Sequence, residues 1–306
     1  MGAAEVIDLH QARARRRDIA ARNIRLDEFL KLDLPEPKDR IEGLVPDGGY
    51  TSWNGPPGVG KTFMSLEAAI AIATGEPFLG RFPTIQGTVL LVDQESHPGR
   101  LQERVSRMVR GRTLPADTGI YFRLVDGLYV DSPIDDPAGG FQQLRRALDE
   151  TGACLFVLDS FTRAHQGKEN DSGSMADVSA RLKALMFEFD CGCMVIDHAT
   201  KLQAGMSRAF AGDRLRGSSE KLAALDASLF FERSQGEENL IVCTPSKSRW
   251  SKEIEPFTVE IRTHSDGSIR PTYVGIRSKN EDTRPMQMMD EIQNIEDQTG
   301  RVGVTM

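Results

Sequence analysis

Short apolar runs alternate with amphipathic stretches through the first two thirds of the chain. The runs at 88–92 (TVLLV), 154–158 (CLFVL) and 193–196 (CMVI) are too short for helices and contain no charged residue. Such runs are typical of strands in a parallel sheet, because those strands are buried on both faces. The stretches between them repeat apolar residues at helical spacing, so helices are expected to cover the sheet.

The pattern predicts a strand or a helix for most of the chain between residues 49 and 198. The predicted strands are 49–54, 88–92, 120–125, 154–158 and 193–196, and the predicted helices are 61–73, 99–109, 141–148 and 175–189. Strands and helices that alternate along the chain are typical of α/β folds with a parallel sheet.

After about residue 225 the pattern changes to strands without intervening helices. These predicted strands are 227–231, 240–244, 257–261 and 269–274, with turn residues at Gly236 and at Asp266 and Gly267. Consecutive strands joined by short turns pair antiparallel. The predicted fold class is therefore α/β, with a mainly parallel sheet flanked by helices and a C-terminal antiparallel strand extension.

Three regions are expected along the chain. Residues 1–38 form an N-terminal arm or helix that could pack between subunits, residues 39–276 form the core, and residues 277–306 form a polar tail, in part disordered. The arm contains an amphipathic pattern through Ile19, Ile24 and Leu26, for which a solvated helix is the simpler interpretation. Residues 34–46 contain three prolines and are predicted to run extended into the first core strand.

Composition is that of an ordinary globular protein, with 39% hydrophobic and 27% charged residues and a mean hydropathy of -0.36. The formal net charge of -7 excludes a broad positive surface, so any DNA contact must come from local basic loops. No apolar run approaches the roughly 18 residues of a membrane helix, and the N-terminus lacks the apolar run of a secretory signal. The four cysteines lie in or beside predicted buried strands, so we expect reduced core thiols in a cytoplasmic protein without membrane association.

Residues 55–62 read GPPGVGKT, which matches the phosphate-binding pattern G-x-x-x-x-G-K-[ST]. A predicted strand precedes this phosphate loop and a predicted helix follows it, so a chance glycine-rich turn is disfavoured. Lys61 is expected to reach the β- and γ-phosphates, and the Thr62 hydroxyl to ligate Mg²⁺. ATP and Mg²⁺ are the expected cofactors, and the residues expected to contact the nucleotide are Gly55, Pro56, Pro57, Gly58, Val59, Gly60, Lys61, Thr62 and Phe63.

Polar residues also follow the ends of other predicted strands. Asp159 ends CLFVLD and is the candidate acid that holds the metal. Glu95, in TVLLVDQES, is the candidate base for the attacking water, with Asp93 as the alternative. Either Asp93 or Glu95 could instead cap the helix that begins near Pro98. His198 follows CMVID in the same way and is a candidate sensor of the γ-phosphate, although a lone histidine is more often structural.

The motifs occur in the order GPPGVGKT, LLVDQES, FVLDSFTRAHQGKENDSGSMADV, CMVIDHATK, RGSSEKLAALDASLFFER and CTPSKSRWS. This order resembles that of the RecA-like ATPases, in particular the RepA-type hexameric replicative helicases and their AAA-labelled relatives in plasmids and phages. The similarity runs from about residue 39 to residue 274. It implies that Glu95 is the catalytic glutamate and that His198 senses the γ-phosphate.

The resemblance also implies a homo-oligomer, expected to be a hexameric ring. Lys247 and Arg249 in CTPSKSRWS match the Lys-x-Arg pair that such hexamers insert into the ATP site of the neighbouring subunit. An arginine supplied in trans raises turnover by about 10³ to 10⁵, so a monomer is expected to hydrolyse ATP slowly. The alternative interpretation of this pair is a solvated strand end.

Two stretches, 163–174 and 201–221, match the loops with which that family contacts single-stranded DNA. The second concentrates basic residues on an otherwise acidic chain, which suits a phosphate backbone. A mobile loop without a nucleic-acid role is the alternative. The candidate DNA-binding residues are Arg163, Lys168, Lys201, Arg208, Arg214 and Arg216.

The predicted function is that of an ATPase that assembles into a ring and acts as a helicase or translocase on single-stranded DNA. Two alternatives stay open, because a fold does not determine function. One is a non-translocating, ATP-dependent switch, or a repair or defence accessory, that binds a protein partner. The other is a recombinase-like filament former in which residues 1–30 pack on the next subunit.

Overall fold

A nine-stranded sheet runs through the part of the chain that the structure describes. The structure is a computed structural model, and the residues it describes are 23–34, 36–115, 117–167, 172–198, 223–234, 237–249 and 254–276. The amphipathic pattern around Ile19, the tail from residue 277 and most of the second candidate DNA loop lie outside these residues.

The secondary-structure elements follow one another as the alternating pattern predicts. The strands are β1 (Asp39–Ile41), β2 (Val45–Pro46), β3 (Tyr50–Gly55), β4 (Val89–Asp93), β5 (Ile120–Leu124), β6 (Leu155–Asp159), β7 (Gly192–His198), β8 (Ala227–Ser234), β9 (Glu237–Ser248), β10 (Phe257–Thr263) and β11 (Ile269–Ile276). The described helices are α1 (Leu26–Phe29), α2 (Lys61–Thr74), α3 (Pro98–Val109), α4 (Gly140–Thr151) and α5 (Ser172–Phe189), with a 3₁₀ turn at Phe161–Arg163.

The strand order in the large sheet is β11-β10-β9-β8-β3-β7-β6-β4-β5. All pairs from β8 to β5 are parallel, and the pairs β8–β9, β9–β10 and β10–β11 are antiparallel. This topology confirms the predicted fold class, including the antiparallel extension. Because β3, β4, β6 and β7 are parallel, their carboxyl ends meet at one edge of the sheet, which is where ligands bind in such sheets.

The sheet separates two apolar layers. Along β4, Val89 and Leu91 face the core under α2, whereas Leu90 and Val92 face the core under α4 and α5. Both layers are dry, since Trp53 on the first side and Phe156 on the second are fully buried. Burial on both faces is the physical reason for the uninterrupted apolar runs in the sequence.

Helix α2 is buried on nearly all sides and carries a charged residue into the core. The Glu67 side chain is 6% exposed, and its carboxylate accepts hydrogen bonds of 2.9 and 2.7 Å from Nη2 of Arg112. Burial raises the pKa of Glu67 above its ordinary value, and the Arg112 charge opposes that rise. The pair fixes α2, and with it the phosphate loop, to the segment that follows α3.

Arginines join the antiparallel extension to the parallel half of the sheet. Arg107 and Arg110 of the α3 region donate to the backbone oxygens of Gly267 and Asp266 in the β10–β11 turn, at 3.0 and 2.6 Å. Arg270 of β11 donates to the Gly111 oxygen at 2.9 Å. The turn predicted at Asp266 and Gly267 is confirmed, and Gly267 has a φ of 80° that favours glycine.

Two local predictions need correction. Residues 34–46 are not simply extended, because β1 and β2 pair antiparallel around Gly43, whose φ is 70°. The strand predicted at 240–244 is longer: β9 spans twelve residues and includes Lys247. The ends of β9 were missed because pairing with β8 and β10, and not the local pattern, sets them. The β1–β2 pair was missed because only the turn at Gly43 interrupts a proline-rich stretch.

The four cysteines all lie among the described residues, where they are buried and form no disulfide. Burial raises the pKa values of the Cys193 and Cys243 thiols well above the ordinary range, so these two stay protonated. Across the described ranges, no helix is both long enough and apolar enough to cross a membrane.

Candidate nucleotide-binding site

The phosphate loop connects the end of β3 to the start of α2. Gly58 and Gly60 have φ values of 75° and 106°, a backbone region that side chains with a Cβ rarely adopt. A Cβ on Gly60 would also lie 2.9 Å from the Cδ1 atoms of Ile241 and Ile261 in the antiparallel extension. Gly58 and Gly60 are therefore required by backbone conformation, and Gly60 by close packing as well. Gly55 is required by packing alone, because a Cβ there would lie 2.6 Å from the Phe231 backbone oxygen.

Lys61 is folded back over the loop. Its Nζ donates to the backbone oxygens of Gly55 and Pro56 at 2.8 and 3.0 Å and lies 3.4 Å from Nδ1 of His198. The side chain is 6% exposed, and burial lowers the pKa of Lys61, with Asp159 as the largest opposing charge. Because the two oxygen atoms that Lys61 contacts are backbone carbonyls without charge, an anion at the loop would meet a buried positive charge.

Thr62 and Asp159 meet at the first turn of α2. The Thr62 hydroxyl donates to Oδ2 of Asp159 at 2.8 Å. Burial raises the pKa of Asp159 from 3.8 to about 7, and the charges of Asp93 and Glu95 act in the same direction. A buried carboxyl group that resists ionisation is stabilised by a cation. The structure thus brings together the two residues predicted to bind the metal.

Glu95 lies beside this pair, at the turn after β4. Its Oε1 atom accepts a hydrogen bond from the Ser160 hydroxyl and lies 3.5 Å from Nε2 of His198 and 3.7 Å from Nε of Arg163. The side chain is 35% exposed. A carboxylate that is held by neighbours yet open on one side has the geometry of a base that water can reach.

Asp93 has a different environment. Its Oδ1 accepts hydrogen bonds from the backbone amides of Glu95 and Ser96 at 2.9 and 2.7 Å, and the side chain is 6% exposed. Neither Asp93 nor Glu95 caps α3. The cap is His97, which accepts a hydrogen bond from the Gly99 amide at 3.2 Å. Asp93 stabilises the turn that presents Glu95, which favours Glu95 as the candidate base.

His198 ends β7 and pairs in register with Gly55. Nδ1 of His198 lies 3.4 Å from Nζ of Lys61, and Nε2 lies 3.5 Å from Oε1 of Glu95. The Asp197 carboxylate accepts from the His198 amide at 2.8 Å and fixes this strand end. The imidazole therefore lies between the lysine of the phosphate loop and the candidate base.

Two contacts of the site were not predicted. Ser160 holds Glu95, and the available signal was its position directly after Asp159 at a strand end. Arg233 of β8 donates to the Gly58 oxygen at 2.8 Å. No local signal points to Arg233, because that contact joins residues 175 positions apart.

Lys247 and Arg249 are not brought to the phosphate loop of their own chain. Lys247 pairs with Ser228, and Ser228 pairs with Ser52, three residues before the end of β3. Three strand residues span about 10 Å, so the pair lies towards the opposite edge of the sheet. There Lys247 donates to the Ala223 oxygen at 3.3 Å, and Arg249 contacts the same oxygen and lies 3.5 Å from Asp226.

Of the candidate DNA-binding residues, the structure places Arg163 beside the nucleotide site. The others, Lys168, Lys201, Arg208, Arg214 and Arg216, lie outside the described residues.

The residues present fit a magnesium–nucleotide complex. The phosphate loop offers glycine backbone, a buried lysine and the start of a helix to phosphate oxygens. Thr62 and Asp159 offer a hydroxyl and a buried carboxylate, the oxygen ligands that Mg²⁺ takes directly or through water. Glu95 and His198 lie beside these residues at the same edge of the sheet.

Fold and site together define a RecA-like P-loop ATPase. Residues 15–204 match a family described as AAA domain, and the chain belongs to that family. Among solved structures, a DnaB-like replicative helicase, in a structure that includes its interactions with primase, matches at 13% identity with a TM-score of 0.53. The match covers 73% of this chain and 57% of the helicase chain, so the chain spans little more than half of its length. A RadB recombinase matches at 18% identity over 71% of this chain and 88% of that one, with a TM-score of 0.49.

Glu95→Gln should leave ATP binding intact and slow hydrolysis by roughly two to four orders of magnitude, because the amide cannot accept a proton from water. Binding of a fluorescent nucleotide and steady-state turnover, measured on one preparation, separate the two effects. Glu103→Gln, a matched change on the exposed face of α3, should alter neither. Loss of nucleotide affinity in Glu95→Gln would instead assign Glu95 a structural role.

Asp159→Asn should stabilise the nucleotide-free protein at alkaline pH. The folded-state pKa of about 7 exceeds the ordinary 3.8, so the stability that Asp159 contributes is present below pH 3.8 and is lost as pH rises towards 7. The melting temperature of Asp159→Asn minus that of the wild type should therefore increase from pH 5 to pH 7 and then level off. Asp149→Asn, on the exposed side of α4, is the matched control; a pH-independent difference for Asp159→Asn would contradict the burial argument.

Proposed function

We propose that the protein hydrolyses Mg·ATP as a ring-forming oligomer and uses that cycle to move on single-stranded DNA. The observation that supports the proposal is that the candidate catalytic residues lie at two opposite edges of the sheet. Lys61, Glu95 and His198 lie together at the carboxyl edge of the sheet, whereas Lys247 and Arg249 lie towards the other edge. A second subunit that packs its Lys247 edge on the first subunit's site would complete that site.

Within one subunit, each residue of the nucleotide site is assigned a role. Bound Mg²⁺ would neutralise part of the phosphate charge, and Thr62 and Asp159 would hold it. Lys61 is the cation for the terminal phosphates, and Glu95 accepts the proton of the attacking water. Ser160 and His198 orient the Glu95 carboxylate through the contacts described above.

The environment of the Lys247–Arg249 pair supports a role in binding an anion. Burial and the neighbouring Arg249 charge lower the pKa of Lys247. Among the described residues, the Asp226 carboxylate lies 3.5 Å from Arg249, and the Arg249 side chain remains 44% exposed. Two cations held close together are stabilised by a partner of opposite charge, such as the phosphates of a neighbouring ATP site.

The motor role is supported by family and fold. The chain belongs to an AAA domain family, and its fold is that of a replicative helicase core. A protein-binding switch and a filament former remain the competing functions, and they differ from the proposal in DNA binding and in assembly geometry. Turnover with and without single-stranded DNA, combined with mass photometry and negative-stain images of the same samples, tells the three apart.

An Arg249→Ala subunit should keep its own ATP pocket and fail to complete that of its neighbour. Mixed with Lys61→Ala subunits, it should regain part of the wild-type turnover, because some interfaces then pair an intact phosphate loop with an intact Arg249. Turnover across a series of mixing ratios measures this recovery.

The matched control for the mixing experiment is Arg262→Ala, an exposed arginine of β10 that pairs with Glu260. Alone, this variant should turn over ATP at the wild-type rate. Absence of recovery in Arg249→Ala and Lys61→Ala mixtures that are shown to co-assemble would argue against action in trans.

Affinity for single-stranded DNA should fall as salt rises, with a log–log slope near -0.7 for each phosphate neutralised. Replacing both Arg208 and Arg214 by Ala should flatten the slope and weaken binding about equally for all sequences, since phosphate contacts carry no sequence information. Fluorescence anisotropy with labelled oligonucleotides and an ATP analogue across a salt series measures both quantities.

Replacement of Arg146 and Arg262 by Ala removes the same charge from exposed sites elsewhere and should leave the slope unchanged. An absence of binding at low salt would remove the helicase hypothesis and favour the protein-binding switch.

A further inference from the structure

Arg163 contacts the candidate base as well as belonging to a candidate DNA loop. Its Nε lies 3.7 Å from Oε1 of Glu95, the same oxygen that accepts the Ser160 hydrogen bond. The side chain of Arg163 is 56% exposed and that of Glu95 is 35% exposed. One face of the Glu95 carboxylate is thus covered by a cation that solvent, or a ligand, can reach.

The backbone around Arg163 is fixed. The 3₁₀ turn closes through a 2.9 Å bond from the Ala164 amide to the Phe161 oxygen, and the Val130 amide donates to the Ala164 oxygen at 2.8 Å. The Asp131 carboxylate accepts from the amides of Gln166 and Gly167 at 2.9 and 3.3 Å. A change of partner by Arg163 is therefore a rotation of its side chain, without a shift of the segment that carries it.

An open cleft of about 460 Å³ provides the space for that rotation. It lies at the carboxyl ends of β4 and β5 and is lined by residues 93–98 and 124–126 together with Arg163. Glu95 forms part of its wall, so the cleft connects the candidate base to the protein surface. The lining also holds the carboxylates of Asp93 and Asp126, so a phosphate at this edge of the sheet is attracted by the Arg163 guanidinium and not by the cleft as a whole.

We infer that Arg163 is a positioning residue that restrains Glu95, and that a phosphate of single-stranded DNA draws Arg163 away and so releases the carboxylate for catalysis. The identity of the trigger rests on the proposed function; the restraint itself does not. Ion pairs this exposed are weak, and a guanidinium binds phosphate through charge-assisted, bidentate hydrogen bonds. A phosphate can therefore compete with Glu95 for Arg163.

Arg163→Ala should raise ATP turnover in the absence of DNA by about 1.5- to fivefold, the range expected when an exposed ion pair is removed. The KM for ATP should change by less than about twofold, because Arg163 does not contact the phosphate loop. Saturating oligo-dT should stimulate the wild type and add little to the variant. Arg163→Lys keeps the charge and should keep the low basal rate, whereas Arg163→Gln should behave like Arg163→Ala.

The matched control is again Arg262→Ala, which should change neither the basal rate nor the stimulation. All rates are compared on samples whose assembly state has been recorded by mass photometry. A basal rate that is unchanged or lower in both Arg163→Ala and Arg163→Gln overturns the restraint. A raised basal rate in these variants, beside a wild type that oligo-dT neither binds nor stimulates, supports the restraint and overturns single-stranded DNA as its trigger.

Discussion

The hydrogen bond between the Thr62 hydroxyl and the buried Asp159 carboxylate is the interaction on which the site depends. It joins the first turn of α2 to the end of β6, and so sets the phosphate loop against the neighbouring strand. Burial disfavours the ionised form of the Asp159 carboxyl group and raises its pKa to about 7. A site that destabilises the unliganded fold and is relieved by a bound cation is a usual compromise between stability and function.

Strand β9 of the antiparallel extension runs from the phosphate loop to Lys247. Near the start of β9, Ile241 packs against Gly60 of the phosphate loop, and near its end the same strand carries Lys247. These positions are six residues apart, or about 20 Å along a strand. Strand β9 therefore links the phosphate loop to the edge of the sheet that carries Lys247. Arg233 of β8 reinforces this connection by its bond to the Gly58 oxygen.

The acids and the histidine at the sheet edge show how far strand ends can be interpreted from sequence. Asp159, Glu95 and His198 were all predicted as site residues from their positions after apolar runs, and the parallel registers bring them together. The choice of Glu95 over Asp93 rested on a role argument, and the structure adds the physical reason. The Asp93 carboxylate is occupied by two backbone amides, whereas Glu95 faces the site.

The sequence by itself determined the α/β fold class, the phosphate loop and the change to antiparallel strands, because each depends on local residue pattern and on backbone conformations that glycine alone adopts readily. Only the tertiary structure decided that Ser160 and Arg163 share the Glu95 carboxylate and that Arg233 supports the loop. It also placed Lys247 away from its own nucleotide site. These contacts arise from strand order and register, which bring together residues far apart in the chain and leave no periodic signal in it.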